Sequence, residues 1–356
     1  MLITLIVIIG LSILILGHEA GHFFAAKWFG LKVDEFGFGF PPRLFVWKPF
    51  DKAQGKKGET EYSFNWLPFG GFVKIAGENG EFGDDLGPNR DTVPNKERYF
   101  FAQPAWKRSV IILAGVVINF IIGWFIISGV LMVGTPRGVV IEQVMPGSPA
   151  EQSGLLSRDV LVGYMVSSDF ISYVAEHKGE EIEVLVRRGG KEVPIKVIPR
   201  VEVPKNEGAL GVSLLDAGMA PMNPAQALTG GFERAILISW LTLVAFLGLL
   251  QQLLFQGILP PDVVGPIGIF GVAQDTGQLG LIYLFQLIAL ISLNLAVINL
   301  LPFPALDGGR FFMIVLEKIK GSPISRKTET IVNGVGFVFL LLLMVVITVH
   351  DIGKWF

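Results

Sequence analysis

The sequence holds no cysteine among its 356 residues and only four histidines. Without thiols there is no disulfide framework and no thiolate metal site. A zinc centre in this chain has to be built from histidine and carboxylate, the ligand set of catalytic rather than structural sites. Net charge is close to zero, at −2, which leaves no electrostatic footprint for a nucleic-acid partner. Charged residues are scarce at 17%, against 51% hydrophobic, and long apolar runs take their place. That composition belongs to an integral membrane protein with several structural units. The N-terminal run from Leu2 to Leu16 has neither a basic leader nor an A-x-A cleavage signal, so it reads as a retained helix rather than a signal peptide.

Two of the four histidines stand together in Gly17-His18-Glu19-Ala20-Gly21-His22, an HExxH signature at the end of that apolar run. Imidazoles at i and i+4 lie one above the other on a helix face, where both can reach one zinc ion at about 2.0–2.1 Å. Glu19, one position round, is not a third ligand on that face but is placed to act as general base toward a water at the metal. Glu and two His inside an apolar segment are costly to retain without a function.

The first helix is predicted over Leu2 to Phe29, ending at Gly30, so residues 1–30 form the first transmembrane unit. Residues 31–104 are polar and turn-rich. Alternation at Val33 to Phe40 and Glu61 to Trp66 predicts short strands, with a turn over Lys52 to Gly58. Leu67-Pro68-Phe69-Gly70-Gly71-Phe72-Val73-Lys74 is apolar but too short and glycine-broken for a helix. It reads as a hairpin tip or a loop dipping into the membrane, tolerable there only if protein covers its backbone. Val110 to Val133, introduced by Trp106-Lys107-Arg108, gives the second span within residues 105–134, and its Asn119 reads as helix packing rather than chemistry.

Residues 135–204 lose apolar density and gain β-branched runs around Pro146-Gly147-Ser148-Pro149-Ala150, which resembles a bacterial PDZ domain. Such domains bind peptide ends by strand addition. Here Arg158-Asp159 stands where the resemblance leads one to expect Gly-Asp, and Val166 to Gly179 departs from the usual pattern. A polar linker at Lys205 to Gly208 opens residues 205–279, which hold an apolar segment from Ala235 to Leu254. Residues 280–356 carry two more spans, Leu281 to Leu300 and Ile331 to Val349. Of the 29 Lys and Arg, 13 lie between Lys27 and Arg108 and five between Arg310 and Lys327, so both loops are predicted to be cytoplasmic. Four spans then follow, with the PDZ-like insert on the far side. Parity makes Ala235 to Leu254 an interfacial or partly embedded helix, unless Pro260 to Ala273 crosses back, although its hydrophobicity alone permits a span.

Pro302 and Pro304 stop the third span. Gly308 and Gly309 are read as a sharp turn that presents Asp307 at membrane depth, where a carboxylate is costly unless it meets a cation. Asp307 is thus the candidate third ligand beside His18 and His22. Alternatively it is an N-cap for a helix over Phe311 to Lys318.

Together, HExxH in a first membrane helix, N-x-x-P-x-P-x-L-D-G from Asn299 to Gly308, the Pro68-Phe69-Gly70-Gly71 loop and an intervening PDZ resemble the bacterial site-2 proteases of RseP type, over essentially the whole chain. The resemblance implies a polytopic α-helical membrane protein with a re-entrant β-rich loop. It also implies zinc on His18, His22 and Asp307, with Glu19 as catalytic base. Asn299 and the Gly70, Gly71 and Phe72 loop would hold an unwound substrate. Implied partners are the lipid bilayer, single-span membrane proteins such as anti-sigma factors or remnant signal peptides, and an upstream site-1 protease. The implied location is the bacterial inner membrane. The chain departs from that family in showing one recognisable PDZ rather than two and Gly115-Val116 where Gly-Pro is common. Two competing readings are a membrane scaffold with a structural metal and a zinc-dependent transporter. The intact Glu19 weighs against the first, and ionisable groups clustered at one depth weigh against the second.

Overall fold

The computed structural model describes residues 2–51, 56–78, 95–204, 207–257, 260, 263–322 and 324–353. Lys52 to Gly55 of the expected turn, and Lys205 with Asn206 of the expected linker, lie outside them. The chain divides into two units: residues 1–127, 231–275 and 284–356 form one, and residues 128–230 with 276–283 the other.

In the larger unit, α1 (Leu2–Trp28) runs apolar to Lys27 in its last turn. It closes in a Schellman turn: Gly30 adopts φ 77°, its N–H donates to the Lys27 carbonyl, and Leu31 N–H donates to Ala26 at 2.9 Å. Leu31 then buries against Ala26, Val33, Ile75 and Ile111. This corner leads into β1 (Val33–Trp47), followed by β2 (Phe50–Asp51), β3 (Lys56–Lys57) and β4 (Glu61–Ile75).

The strands β1 and β4 are both bent, so each contributes two segments to one sheet. Phe36, Gly37 and Phe38 lie opposite Val73, Phe72 and Gly71 on one side and opposite Tyr62, Ser63 and Phe64 on the other; Phe45 and Trp47 extend it beyond Phe64 and Tyr62. Glu35, 3% exposed, is gripped by Arg43 at 2.6 Å and Lys74 at 3.5 Å. The segment expected as a hairpin tip is therefore the second half of a continuous strand.

The helix α2 (Ala105–Val133) packs on α1 through small residues: a Cβ on Gly21 would sit 2.5 Å from the Ala114 carbonyl oxygen. The helices α5 (Pro224–Gln256), α6 (Pro266–Leu279), α7 (Leu281–Leu300), α8 (Asp307–Lys320) and α9 (Arg326–Gly353) complete the helical set. Asp351 of α9 is 2% exposed and accepts the Gly265 and Gly268 N–H groups, capping the start of α6. Among the described residues, five helices are long and apolar enough to cross a membrane: the four expected spans and, in addition, residues 224–253 of α5.

One expectation about the helices needs correcting. Gly308 and Gly309 do not form the turn after α7; they are the second and third residues of α8, and the positive φ, 73°, falls on Ala305. The glycines serve close packing, since a Cβ on Gly308 would meet the Leu300 and Leu301 carbonyl oxygens at 2.2 Å. The other two histidines are partly buried: His177 donates to the Tyr173 carbonyl at 2.8 Å with its ring tilted against that tyrosine, and Nε2 of His350 is buried.

The smaller unit is a five-stranded sheet, β5 (Thr135–Val144), β6 (Val160–Leu161), β7 (Ile182–Arg188), β8 (Lys191–Val197) and β9 (Val212–Met219), ordered β8-β7-β6-β5-β9. The strand β9 pairs along β5, so the sheet runs past residue 204, the expected end of this unit. The short helix α3 (Pro149–Ser153) has Ser148 as N-cap, accepting Glu151 N–H, and Gly154 as its left-handed stop. The segment that departed from the PDZ pattern forms α4 (Ser167–Glu176), which buries Phe170 and Val174 against the sheet. Arg158 holds the left-handed backbone, φ 72°, that the missing glycine would occupy without strain. Asp159 beside it, 1% exposed, takes a two-pronged bond from Arg188 at 2.8 and 2.6 Å and also caps Leu156 N–H.

Candidate active site

One turn of α1 brings the two histidines together, with ring centroids 4.8 Å apart and edge to face. Their Nε2 atoms are 3.3 Å apart, and Asp307 Oδ2 lies 2.9 Å from that of His18 and 3.3 Å from that of His22. A tetrahedral ion with ligand bonds of about 2.0–2.1 Å separates its ligand atoms by about 3.3 Å, so the spacing suits one zinc. The hydrogen bonding agrees. His22 donates its Nδ1 proton to the Ile111 carbonyl at 2.9 Å, which leaves Nε2 of the neutral ring bare. Asp307 Oδ2 is buried and has no hydrogen-bond donor. Acceptors converging on a point call for a cation there. This trio is a possible metal-binding group among the described residues.

Room for the imidazoles comes from Gly115 on α2. A Cβ there would lie 2.5 Å from His22 Nε2 and 2.8 Å from His18 Cε1. Asp307 is fixed by the turn before α8, where Ala305 N–H donates to Asn333 and Pro304 packs on Gly336. Arg310, one turn further along α8, pairs with Glu78 at 2.5 Å and ties α8 to the chain just after β4. Burial raises the Glu78 carboxyl above its ordinary value, and the Arg310 guanidinium opposes the rise.

Glu19 lines a cavity of about 270 Å³ with His18, Asn119, Asn299 and Asp307. Gly71 stands beside it: a Cβ there would fall 3.4 Å from Glu19 Cγ and 3.7 Å from Leu16 Cδ2. On its inner side Gly71 pairs with Phe38; its other edge has no ladder partner among the described residues. Gly70, at φ 108°, sits under the Phe40 ring, and the Phe72 ring covers Gly37. The Phe72 side chain thus belongs to the sheet. The structure brings His18, His22 and Asp307 together and sets Glu19, Asn119 and Asn299 in the wall of the adjoining cavity, with Gly71 beside Glu19, at this one site. Ile111, Glu78 and Arg310 also belong to it and carry no sequence signal of their own, because they meet it only through tertiary packing; Gly115, noted in the sequence only as a departure from Gly-Pro, joins them.

The sequence profile of Peptidase family M50 matches residues 6–343. The chain belongs to that family. A Clostridium perfringens relative, named as a candidate zinc metalloprotease, is 33% identical over 351 residues, covering 97% of each chain. The regulator of sigma-W protease RasP of Bacillus subtilis is 28% identical, covering 99% of this chain and 98% of its own. The zinc metalloprotease RasP of Geobacillus kaustophilus is also 28% identical, covering 100% and 98%. This M50 peptidase is accordingly a zinc metalloprotease, and its apolar helices make it a multi-pass membrane protein. The scaffold and transporter readings are thereby set aside.

Proposed function

We propose that this M50 peptidase cleaves transmembrane segments of single-span membrane proteins already trimmed on their outer side by a site-1 protease, with anti-sigma factors or remnant signal peptides as the substrate class. The observation that carries this reading is the strand edge at Gly71, next to Glu19, which has no ladder partner among the described residues. A substrate helix hides its carbonyls in i→i−4 bonds and must be extended before hydrolysis. A free strand edge re-satisfies the backbone groups released by unwinding, where lipid offers them no partner.

His18, His22 and Asp307 hold the zinc in this proposal, and zinc supplies Lewis acidity to such a site. Glu19 takes the proton of the attacking water and returns it to the leaving amine. Asn299, in the wall of the same cavity, holds the substrate backbone in register, and Gly70 to Phe72 offer the receiving edge. We further propose four spans with α5 interfacial, a PDZ-like smaller unit on the outer side that screens substrates by their remaining bulk, and residence in a bacterial inner membrane. The groove of about 430 Å³ between α4 and β9, lined by Phe170, Val174 and Leu214, supports the PDZ-like assignment.

Replacing Gly70 and Gly71 together by proline tests the strand-addition step. Cleavage of a single-span reporter is expected to vanish while zinc content stays near the wild-type value. Undiminished cleavage would contradict the proposal.

A further inference from the structure

We infer that Asn119 is a positioning residue of the zinc site, its side-chain oxygen accepting the Nδ1 proton of His18 and so fixing the tautomer in which Nε2 is free to bind metal. This rests on the assignment of His18, His22 and Asp307 as ligands.

A neutral imidazole carries one N–H. With zinc held between both Nε2 atoms and the Asp307 oxygen they face, neither Nε2 can carry a proton, so both protons belong on Nδ1, and each needs an acceptor. His22 has the Ile111 carbonyl. His18 Nδ1 has the carboxamide of Asn119, 101 positions away on α2, with the amide nitrogen 3.4 Å from the ring. In that orientation donor meets donor, and Asn119 Oδ1 is buried with no hydrogen-bond partner. Rotating the amide by 180° exchanges two groups of almost the same shape. It turns the mismatch into an Nδ1–H to oxygen bond and uses the orphaned acceptor.

Asn119 is held in place to do this. The residue is 1% exposed, and its backbone carbonyl accepts the hydroxyl of Ser292, itself fully buried on α7, at 2.7 Å. A polar amide in an apolar helix is costly, and in this position it gives His18 the partner that Ile111 gives His22. Partners of this kind set the tautomer, ring orientation and basicity of a ligating histidine.

The test compares full-length wild type, Asn119→Leu and Asn119→Asp in detergent. Zinc affinity is measured by chelator competition, together with the visible spectrum of the cobalt-substituted protein. Asn119→Leu, of similar size but with no acceptor, is expected to weaken zinc binding about 10–100-fold and to alter the cobalt bands. Asn119→Asp retains an acceptor and is expected to restore both. Wild-type affinity in Asn119→Leu, or equal loss in both variants, would overturn the inference. Asp307→Ala separates the two levels: if it binds zinc like wild type, the ligand assignment itself fails and this inference with it.

Discussion

Gly115 shows how closely the site is fitted at the level of single atoms. It is the floor beneath both imidazoles, and its missing side chain is what lets α2 approach them. Gly115→Ala is expected to weaken zinc binding about tenfold or more, from an overpacking penalty of about 1–3 kcal/mol. Gly129→Ala on the same helix, where a Cβ meets nothing within 4 Å, serves as the control and is expected to leave zinc binding unchanged; chelator competition reads both. His18, Glu19 and His22 were legible in the sequence because their geometry is set by helical periodicity alone. Asp307 was legible because a carboxylate after two helix-stopping prolines in an apolar stretch is expensive. Asn119 was assigned to packing and Gly115 registered only as a departure from Gly-Pro. Their roles depend on which residue of a second helix lies opposite, and no local pattern encodes that.

Among the elements, the ones with regular periodicity were legible and the irregular ones were not. The helices α1, α2, α7 and α9 follow from their apolar runs, and the end of α1 from Gly30. The sheet made by β1 and β4 was seen only as short strands, because its bends at Pro41-Pro42 and around Pro68 break the alternation that marks a strand. The extent of the smaller unit was underestimated because β9 follows a polar linker and finds its partner, β5, about seventy residues back. The ion pair of buried Asp159 with the partly exposed Arg188 tests that unit's core. Arg188→Ala leaves the carboxylate with only the Leu156 N–H and whatever water reaches the vacated space, at a reduced cost of about 1–2 kcal/mol. A lower thermal midpoint for this unit, with zinc content unchanged, is the expected result.

At the scale of the whole molecule, the absence of cysteine and the few histidines already limited the metal site to histidine and carboxylate. Apolar helices surround that site, which moves its proposed substrate from soluble proteins to membrane segments. The central claim is that Glu19 acts as base at a zinc held by its neighbours. The most direct measurement is cleavage of a single-span reporter by wild type and by Glu19→Gln at matched zinc content. The expected result is at least about a 100-fold loss of cleavage with zinc retained. Cleavage by Glu19→Gln at the wild-type rate would contradict the account.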